Sequence, residues 1–176
     1  VRAVRRLLAL PVAALLALLA AGAAAEAVAE AEQRRVMDVA RMLPGDFAWH
    51  PERAPSGPVG IVVSLPEQRV HVYRNGVRIG VSTASTGTPG HCTPAGTFTV
   101  LEKDKDHYSS TYDRAPMPNM LRLTWRGVAL HAGPLPGYPA SHGCIRLPFA
   151  FSERLWGVTH LGTPVIVTAE RPPGLM

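Results

Sequence analysis

Residues 59–80 place the strongest constraint on what this chain can fold into. Apolar and polar residues alternate on both sides of the dipeptide Asn75-Gly76, for example at Val70 and Val72. Asn-Gly between two alternating stretches is the strongest short-range indication of a β-hairpin, because both central turn residues need a positive φ. The sequence therefore predicts two antiparallel strands here and a domain built on a β-sheet.

Several other segments have the length and composition of short strands. The chain has 17 Pro and 16 Gly among 176 residues, too many for a helical bundle, which indicates a turn-rich domain. The strand candidates are 61–65, 97–101, 121–125, 128–131 and 164–168, and the helix candidate is 149–156. Six or so strands with one or two short helices predict a mainly β fold, either a sandwich or a mixed sheet.

The first 25 residues have the organisation of an export signal. Three arginines precede an apolar run over 7–21, and Ala23-Ala24-Ala25 supplies the small residues that signal peptidase accepts before Glu26. We therefore expect a signal peptide over 1–25 and a location in the periplasm or cell envelope. An uncleaved membrane anchor is the alternative, because 7–25 gives 19 residues of low polarity and about 20 span a bilayer.

Residues 26–57 separate this signal from the main domain. Helix-forming composition over 27–43 ends at Pro44-Gly45, and 44–58 contains four prolines, which indicates a linker or a wrapped arm. The predicted organisation is thus an N-terminal helix and Pro-rich linker over 26–57, a main domain over 58–170 and a tail over 171–176.

The charge of the chain argues against a nucleic-acid partner. The formal net charge is +5, but the three arginines of the export signal leave 15 basic and 13 acidic residues once they are removed. Nucleic-acid binding usually needs a clustered basic face, and no basic run remains in the main domain.

Residues 131–146 concentrate the side chains that could perform chemistry. Two His, one Ser and one Cys lie here among Gly and Pro residues that force a tight backbone. A thiol becomes a working nucleophile when a nearby imidazole removes its proton, so Cys144 and His131 are a candidate pair. Gly143 would let the backbone approach a substrate, and the N–H groups from His142 to Cys144 are candidate oxyanion donors.

Three alternatives compete with that interpretation. Cys92 and Cys144 could form a structural disulfide, which is the usual state of paired cysteines in an exported chain. Cys144 could be a buried structural cysteine beside hydrogen-bonded histidines. His131, His142 and Cys144 could bind zinc, although three ligands with a His-x-Cys pair are an uncommon zinc set.

The hexapeptide Ser141-His142-Gly143-Cys144-Ile145-Arg146, with His131 upstream, resembles the signature of the L,D-transpeptidase catalytic domain, the YkuD-type family. The similarity extends beyond this loop. Residues 61–80 resemble the opening hairpin of the family, and Ser85-Thr86-Gly87 with 93–98 resembles its "STG … TPxGxF" stretch. The resemblance covers about 58–168 and implies the β-sandwich or mixed sheet of that family.

The resemblance also implies roles for individual residues. Cys144 takes the position of the nucleophile and His131 that of the general base, oriented by the backbone carbonyl of Ala132. His142, Gly143 and Ser141 take the positions that shape the loop and its oxyanion site.

Three further residues are candidates for substrate binding. Arg146 follows the signature where a polar binding residue usually lies, although some relatives have Asn there. Tyr138 and Trp125, together with the segment 115–118, are candidates for lining a pocket.

By resemblance, the substrate is a peptidoglycan stem peptide. Cys144 would form a thioester with release of the terminal D-Ala, and an amine would then take the acyl group. The acceptor could be another stem peptide, giving a 3–3 cross-link, or an outer-membrane protein. Water as acceptor would make the protein an L,D-carboxypeptidase, and a non-catalytic cell-wall-binding module or a zinc hydrolase are further alternatives. We expect no metal or organic cofactor, no nucleic acid and a monomer.

Overall fold

Residues 41–170, together with Gly22, are the part of the chain that the computed structural model describes. The predicted export signal, nearly all of the predicted helix over 27–43 and the predicted tail lie outside the described residues. Within residues 41–170, none of the helices has the length and apolar character needed to cross a membrane.

The elements of this region are ten strands and two short helices. In chain order they are β1 (Phe47–Trp49), a 3-10 helix (Pro51–Arg53), β2 (Val59–Ser64), β3 (Arg69–Arg74), β4 (Val77–Thr83), β5 (Gly96–Thr99), β6 (Glu102–Tyr108), β7 (Pro116–Arg122), β8 (Ala129–Ala132), β9 (Ile145–Leu147), α1 (Phe149–Val158) and β10 (Pro164–Thr168).

The larger sheet has six strands in the order β1-β4-β3-β2-β10-β5. The predicted hairpin forms its centre: β3 and β4 pair antiparallel through a turn at Asn75 and Gly76, whose φ values are 50° and 76°. The last strand, β10, inserts parallel to β2, with Val165 opposite Ile61. The predicted hairpin, formed by β3 and β4, is confirmed.

The smaller sheet has four strands in the order β6-β7-β8-β9. Its first three strands are antiparallel, whereas β9 lies parallel to β8, with His131 opposite Arg146. Helix α1 follows β9 directly and contacts β7 and β8. One of these contacts is a buried hydrogen bond of 3.0 Å, in which the Asn119 amide donates to the hydroxyl of Ser152.

The two sheets share one hydrophobic core. The larger sheet contributes Ile61, Val63, Val70, Val72, Ile79, Val165 and Val167, the smaller sheet contributes Leu121, Leu130, Ile145 and Leu147, and α1 contributes Phe151 and Leu155. The ring of Phe151 meets the edge of Trp49 with centroids 5.5 Å apart, so α1 is held against both sheets. The mainly β prediction is therefore confirmed, with two packed sheets.

Three strands were not apparent from the sequence. Strand β1 lies in the Pro-rich segment predicted to be a linker or arm and pairs with β4 along the edge of the larger sheet. Strand β6 has the charged sequence EKDKDHY and no apolar alternation, and it forms the outer strand of the smaller sheet. Strand β9 has three residues. All three exist because of pairing with a neighbouring strand, which overrides weak local propensity.

Strand β7 also differs from its predicted range of 121–125. It begins at Pro116 and ends at Arg122, and the backbone turns just after it, where the Gly127 N–H donates to the Thr124 carbonyl at 3.1 Å. A proline is normally excluded from an inner strand because it lacks a donor. Pro116 and Pro118 lie opposite Tyr108 and Asp106 of β6, in the part of β7 that β8 leaves unpaired, because β8 pairs only with Leu121 and Arg122.

Two buried histidines should make the fold sensitive to acid. His71 is fully buried in β3 without a hydrogen-bond partner for either ring nitrogen, and the Glu67 carboxylate lies 4.0 Å from its Nε2. Burial, followed by the charges of Arg78 and Arg69, lowers the pKa of His71 to about 4. Burial likewise lowers the pKa of His131 to about 4.

A histidine whose pKa is lower in the folded state binds its proton more readily when unfolded. Each of these two therefore contributes about 3 kcal/mol of stability that is present above about pH 6.5 and lost as the pH falls to about 4. We expect urea unfolding to show this decline, and His71→Leu to make it shallower. His160→Gln, at an exposed position, is the matched control. An unchanged pH slope in His71→Leu would contradict the assignment.

Candidate active site

A cavity of about 490 Å³ opens beside the smaller sheet and contains most of the predicted site residues. The strand register explains why. His131 lies opposite Arg146 across the parallel pair of β8 and β9, and alternate residues of a strand point to the same face. Cys144 is two residues before Arg146, so all three side chains point to the cavity, whereas Leu130 and Ile145 point to the core.

The His131 ring is held in one orientation by its own strand. It is buried, and its Nδ1 lies 2.7 Å from the carbonyl oxygen of Ala132, which the family resemblance implied as the orienting group. A carbonyl can only accept, so Nδ1 has the proton and Nε2 is left as the basic nitrogen. Burial lowers the pKa of His131 to about 4, although the bond to Ala132 acts in the opposite direction. His131 is therefore a neutral base at pH 7.

The Cys144 thiol is half-buried and hydrogen-bonded to the backbone. Its Sγ donates to the carbonyl of Gly127 at 3.3 Å. Burial raises the pKa of the thiol, while the Ala129 N–H and the charges of Arg146 and Arg122 lower it. A neutral thiol and a neutral imidazole thus share the cavity, and the thiol proton has to move when the sulfur attacks.

Ser141 fixes the backbone of the signature loop. Its hydroxyl donates to the Cys144 carbonyl at 2.6 Å and accepts the Gly143 N–H at 3.1 Å. Its N–H donates to the carbonyl of Thr86 at 3.0 Å. Because the Gly143 N–H is already used inside the loop, the oxyanion donors available from this stretch are the N–H groups of His142 and Cys144.

A second loop, residues 87–93, supports the signature loop from outside. The Thr93 hydroxyl donates to the Gly143 carbonyl at 2.9 Å and accepts the Gly87 N–H at 2.9 Å. The approach is so close that a Cβ on Gly87 would lie 2.0 Å from the carbonyl oxygen of His91. The Ser-Thr-Gly stretch identified in the sequence thus has a structural role: its Gly87 allows the second loop to pack closely and holds it through the hydrogen bond that the Gly87 N–H donates to Thr93.

Both cysteines are free thiols, so the alternative of a Cys92–Cys144 disulfide is wrong. Cys92 is exposed in the second loop. The zinc alternative also lacks a ligand set: across residues 41–170, no three His, Cys, Asp or Glu side chains are grouped as metal ligands.

His142 lies at the cavity rim rather than beside the thiol. Its exposed ring stacks on Tyr112 with centroids 4.5 Å apart and an interplanar angle of 23°. Its other neighbour is His91, at 5.0 Å and edge-on. His142 therefore links the signature loop to the two loops around it, which agrees with the predicted role in holding the loop.

Only some of the predicted substrate-binding residues line the cavity. Arg146 lines the cavity, and so do residues 115–117 of the segment singled out in the sequence. Tyr138 is 61% exposed and Trp125 is 75% exposed, and neither lines this cavity. The structure therefore does not bring these two aromatic side chains to the thiol.

Four further charged or aromatic cavity residues were missed by sequence reasoning: His107, Tyr112, Arg122 and Arg126. A partial signal existed for Arg122, which lies between the apolar residues Leu121 and Leu123 and so had to face away from the core. The other three come from β6, from the segment before β7 and from the turn before β8. No local pattern indicates that these segments meet at Cys144.

Fold and site together define a class of protein: a two-sheet β domain with a histidine on one strand and a cysteine directly before the parallel strand beside it. The model of the YkuD family, the L,D-transpeptidase catalytic domain, matches residues 58–167. The chain belongs to this family, which confirms the resemblance seen in the sequence.

Relatives of known name support the assignment. The chain is 34% identical to the probable L,D-transpeptidase 3 of Mycobacterium tuberculosis, over 58% of this chain and 42% of the relative. A crystal structure of an L,D-transpeptidase from the same organism is 32% identical, with a TM-score of 0.60 over 62% of this chain and 57% of that one. L,D-transpeptidase 3 of M. tuberculosis with a faropenem-derived adduct is 28% identical, with a TM-score of 0.57 over 62% and 60%. The chain spans about half the length of these relatives.

Proposed function

We propose that this domain is an L,D-transpeptidase acting on peptidoglycan stem peptides, with Cys144 as nucleophile and His131 as general base. One observation supports this most directly: a neutral imidazole, fixed by Ala132 with Nε2 available, lies in the same cavity as a free thiol. The family supplies the substrate class, and the site supplies the groups that the reaction needs.

The first half-reaction forms a thioester. The Cys144 sulfur attacks the carbonyl that joins the third residue of the stem to the terminal D-Ala, while Nε2 of His131 accepts the thiol proton. The N–H groups of His142 and Cys144 would stabilise the resulting oxyanion. The carbon–nitrogen bond then breaks, His131 returns the proton to the leaving amine, and D-Ala departs.

The second half-reaction transfers the acyl group. An acceptor amine attacks the thioester and His131 takes its proton. The carbon–sulfur bond then breaks, and His131 gives that proton to the leaving sulfur, which restores the Cys144 thiol. A second stem peptide as acceptor gives a 3–3 cross-link, and an amine of an outer-membrane protein gives protein attachment. Water in place of the amine gives a carboxypeptidase.

The test is incubation of the purified protein with a disaccharide-tetrapeptide, with products identified by mass. Loss of D-Ala with formation of cross-linked dimers supports transpeptidation, and a hydrolysed tripeptide alone indicates the carboxypeptidase. A penem is a useful second probe, because L,D-transpeptidase 3 of M. tuberculosis has been solved with a faropenem-derived adduct. The absence of both D-Ala release and a penem adduct on Cys144 would overturn the proposal.

Export is part of the same proposal, because stem peptides lie outside the cytoplasmic membrane. The arginine-flanked apolar run and Ala23-Ala24-Ala25 support cleavage before Glu26. N-terminal sequencing of the protein from an envelope fraction should therefore begin at or near Glu26. Recovery of the uncleaved chain in the membrane pellet would support an anchor instead.

A further inference from the structure

The charged side chains that line the catalytic cavity are of one sign. Arg122, Arg126 and Arg146 line it, and no Asp or Glu of residues 41–170 does. A concave site with cations and no carboxylate concentrates anions. Its occupant should therefore have a negative charge.

The three arginines differ in their partners. Arg122 is engaged by Glu102, whose Oε2 accepts from Nε at 2.5 Å, so its charge is largely compensated within the smaller sheet. Arg126 and Arg146 form no ion pair with any carboxylate in the part of the chain that the structure describes. These two are the cations available to a ligand.

Arg126 is close to the nucleophile through the backbone. It immediately precedes Gly127, whose carbonyl accepts the Cys144 thiol at 3.3 Å. Arg146 is two residues beyond Cys144 and faces the same cavity across from His131. Both arginines line the cavity that contains Cys144, and the charge of Arg146 acts on the His131 ring and on the Cys144 thiol.

We propose that Arg126, assisted by Arg146, binds a carboxylate of the acyl donor beside the scissile bond and makes the enzyme selective for donors with that carboxylate free. The inference rests on the proposed function and deepens it. A guanidinium binds a carboxylate through paired hydrogen bonds, so an uncharged carboxamide is a poor substitute. Two donor groups have the required chemistry: the α-carboxylate of the terminal D-Ala and the side-chain carboxylate of the third residue.

Three donor peptides show which of the two carboxylates is recognised. They are a tetrapeptide with both carboxylates free, one with the third-residue side chain amidated, and one with the C-terminus amidated. With the wild-type protein, amidation of the recognised group should lower kcat/KM by about 10- to 100-fold, mainly through KM. Arg126→Gln should lower kcat/KM for the free-acid donor by a similar factor and cause little further loss on that carboxamide. Arg126→Lys should recover part of the loss.

Arg154→Gln is the matched control, because Arg154 is an exposed arginine of α1 that does not line the cavity. It should behave as wild type with all three donors. Binding supplies a readout that does not depend on turnover: in a Cys144→Ala background, Arg126→Gln should weaken the Kd of the free-acid tetrapeptide by a comparable factor.

The outcomes are distinguishable. If wild type cleaves all three donors equally, or if Arg126→Gln weakens all three equally, carboxylate recognition by Arg126 is wrong while the transpeptidase proposal stands. If wild type cleaves none of them, the proposed function itself fails. Discrimination against one carboxamide, lost in Arg126→Gln, supports the inference and identifies the carboxylate.

Discussion

Cys144→Ala is expected to abolish D-Ala release and thioester formation completely. The sulfur is the atom that forms the acyl bond, and the nearby Ser141 hydroxyl cannot replace it because that hydroxyl is bonded to the Cys144 carbonyl and the Gly143 N–H. Cys144→Ser should also lose nearly all activity, since a hydroxyl is far less acidic than a thiol and burial already opposes ionisation at this position. The measurement is product mass with a disaccharide-tetrapeptide.

Cys92→Ser is the matched control for that experiment. Its thiol is free and exposed in the loop 87–93, outside the cavity lining, so activity should stay close to wild type. A penem should add its mass to Cys144 in both wild type and Cys92→Ser and to neither cysteine in Cys144→Ala. An adduct on Cys92, or turnover by Cys144→Ala, would show that the nucleophile is a different group.

His131→Ala is expected to lower kcat about 10²- to 10⁴-fold, the usual contribution of a positioned proton-transfer group. His131→Gln keeps much of the side-chain volume and should lose activity to a similar extent, which separates proton transfer from packing. Thermal unfolding of both variants checks that the fold is retained. His160→Gln changes an exposed histidine that does not line the cavity, so its kcat should equal that of wild type.

The pH profile tests the role of His131 independently. The base must be unprotonated to accept the thiol proton, and burial lowers its pKa to about 4. The acidic limb of kcat/KM should therefore lie well below the pH of about 6.5 at which an exposed histidine titrates. A limb near pH 6.5 in protein shown to be folded would mean that another group, or a much more solvated His131, controls the reaction.

Local sequence was sufficient to predict those elements whose conformation depends on residues adjacent in the chain. Asn75-Gly76 predicted its turn because positive φ at two successive residues is a local requirement. Strand β10 and helix α1 were found close to their predicted ranges because composition and spacing suffice for them. The Cys144 and His131 pair was identified because both lie within a stretch of 16 residues whose Gly and Pro content forces the chain to fold back.

Contacts between separate elements could not be predicted from local sequence patterns. Strand β6 has a charged sequence that is stable as a strand only because β7 pairs along it. The stacking of Tyr112 on His142 joins segments 30 residues apart, and neither ring belongs to a pattern that indicates the other. Trp125 and Tyr138 were reasonable pocket candidates by type, but both are largely exposed and neither lines the cavity.

The sequence by itself determined the class of fold, the family and the two residues proposed to exchange the proton. Tertiary structure decided their state: burial in the cavity beside the smaller sheet makes His131 neutral and opposes ionisation of the Cys144 thiol. Tertiary structure also decided the sign of the charge in the cavity, because it brings Arg126 from a turn and Arg146 from β9 to the cavity wall. The physical reason is that dielectric environment and net local charge are sums over groups that the chain brings together in space, whereas turns and strand patterns depend on adjacent residues.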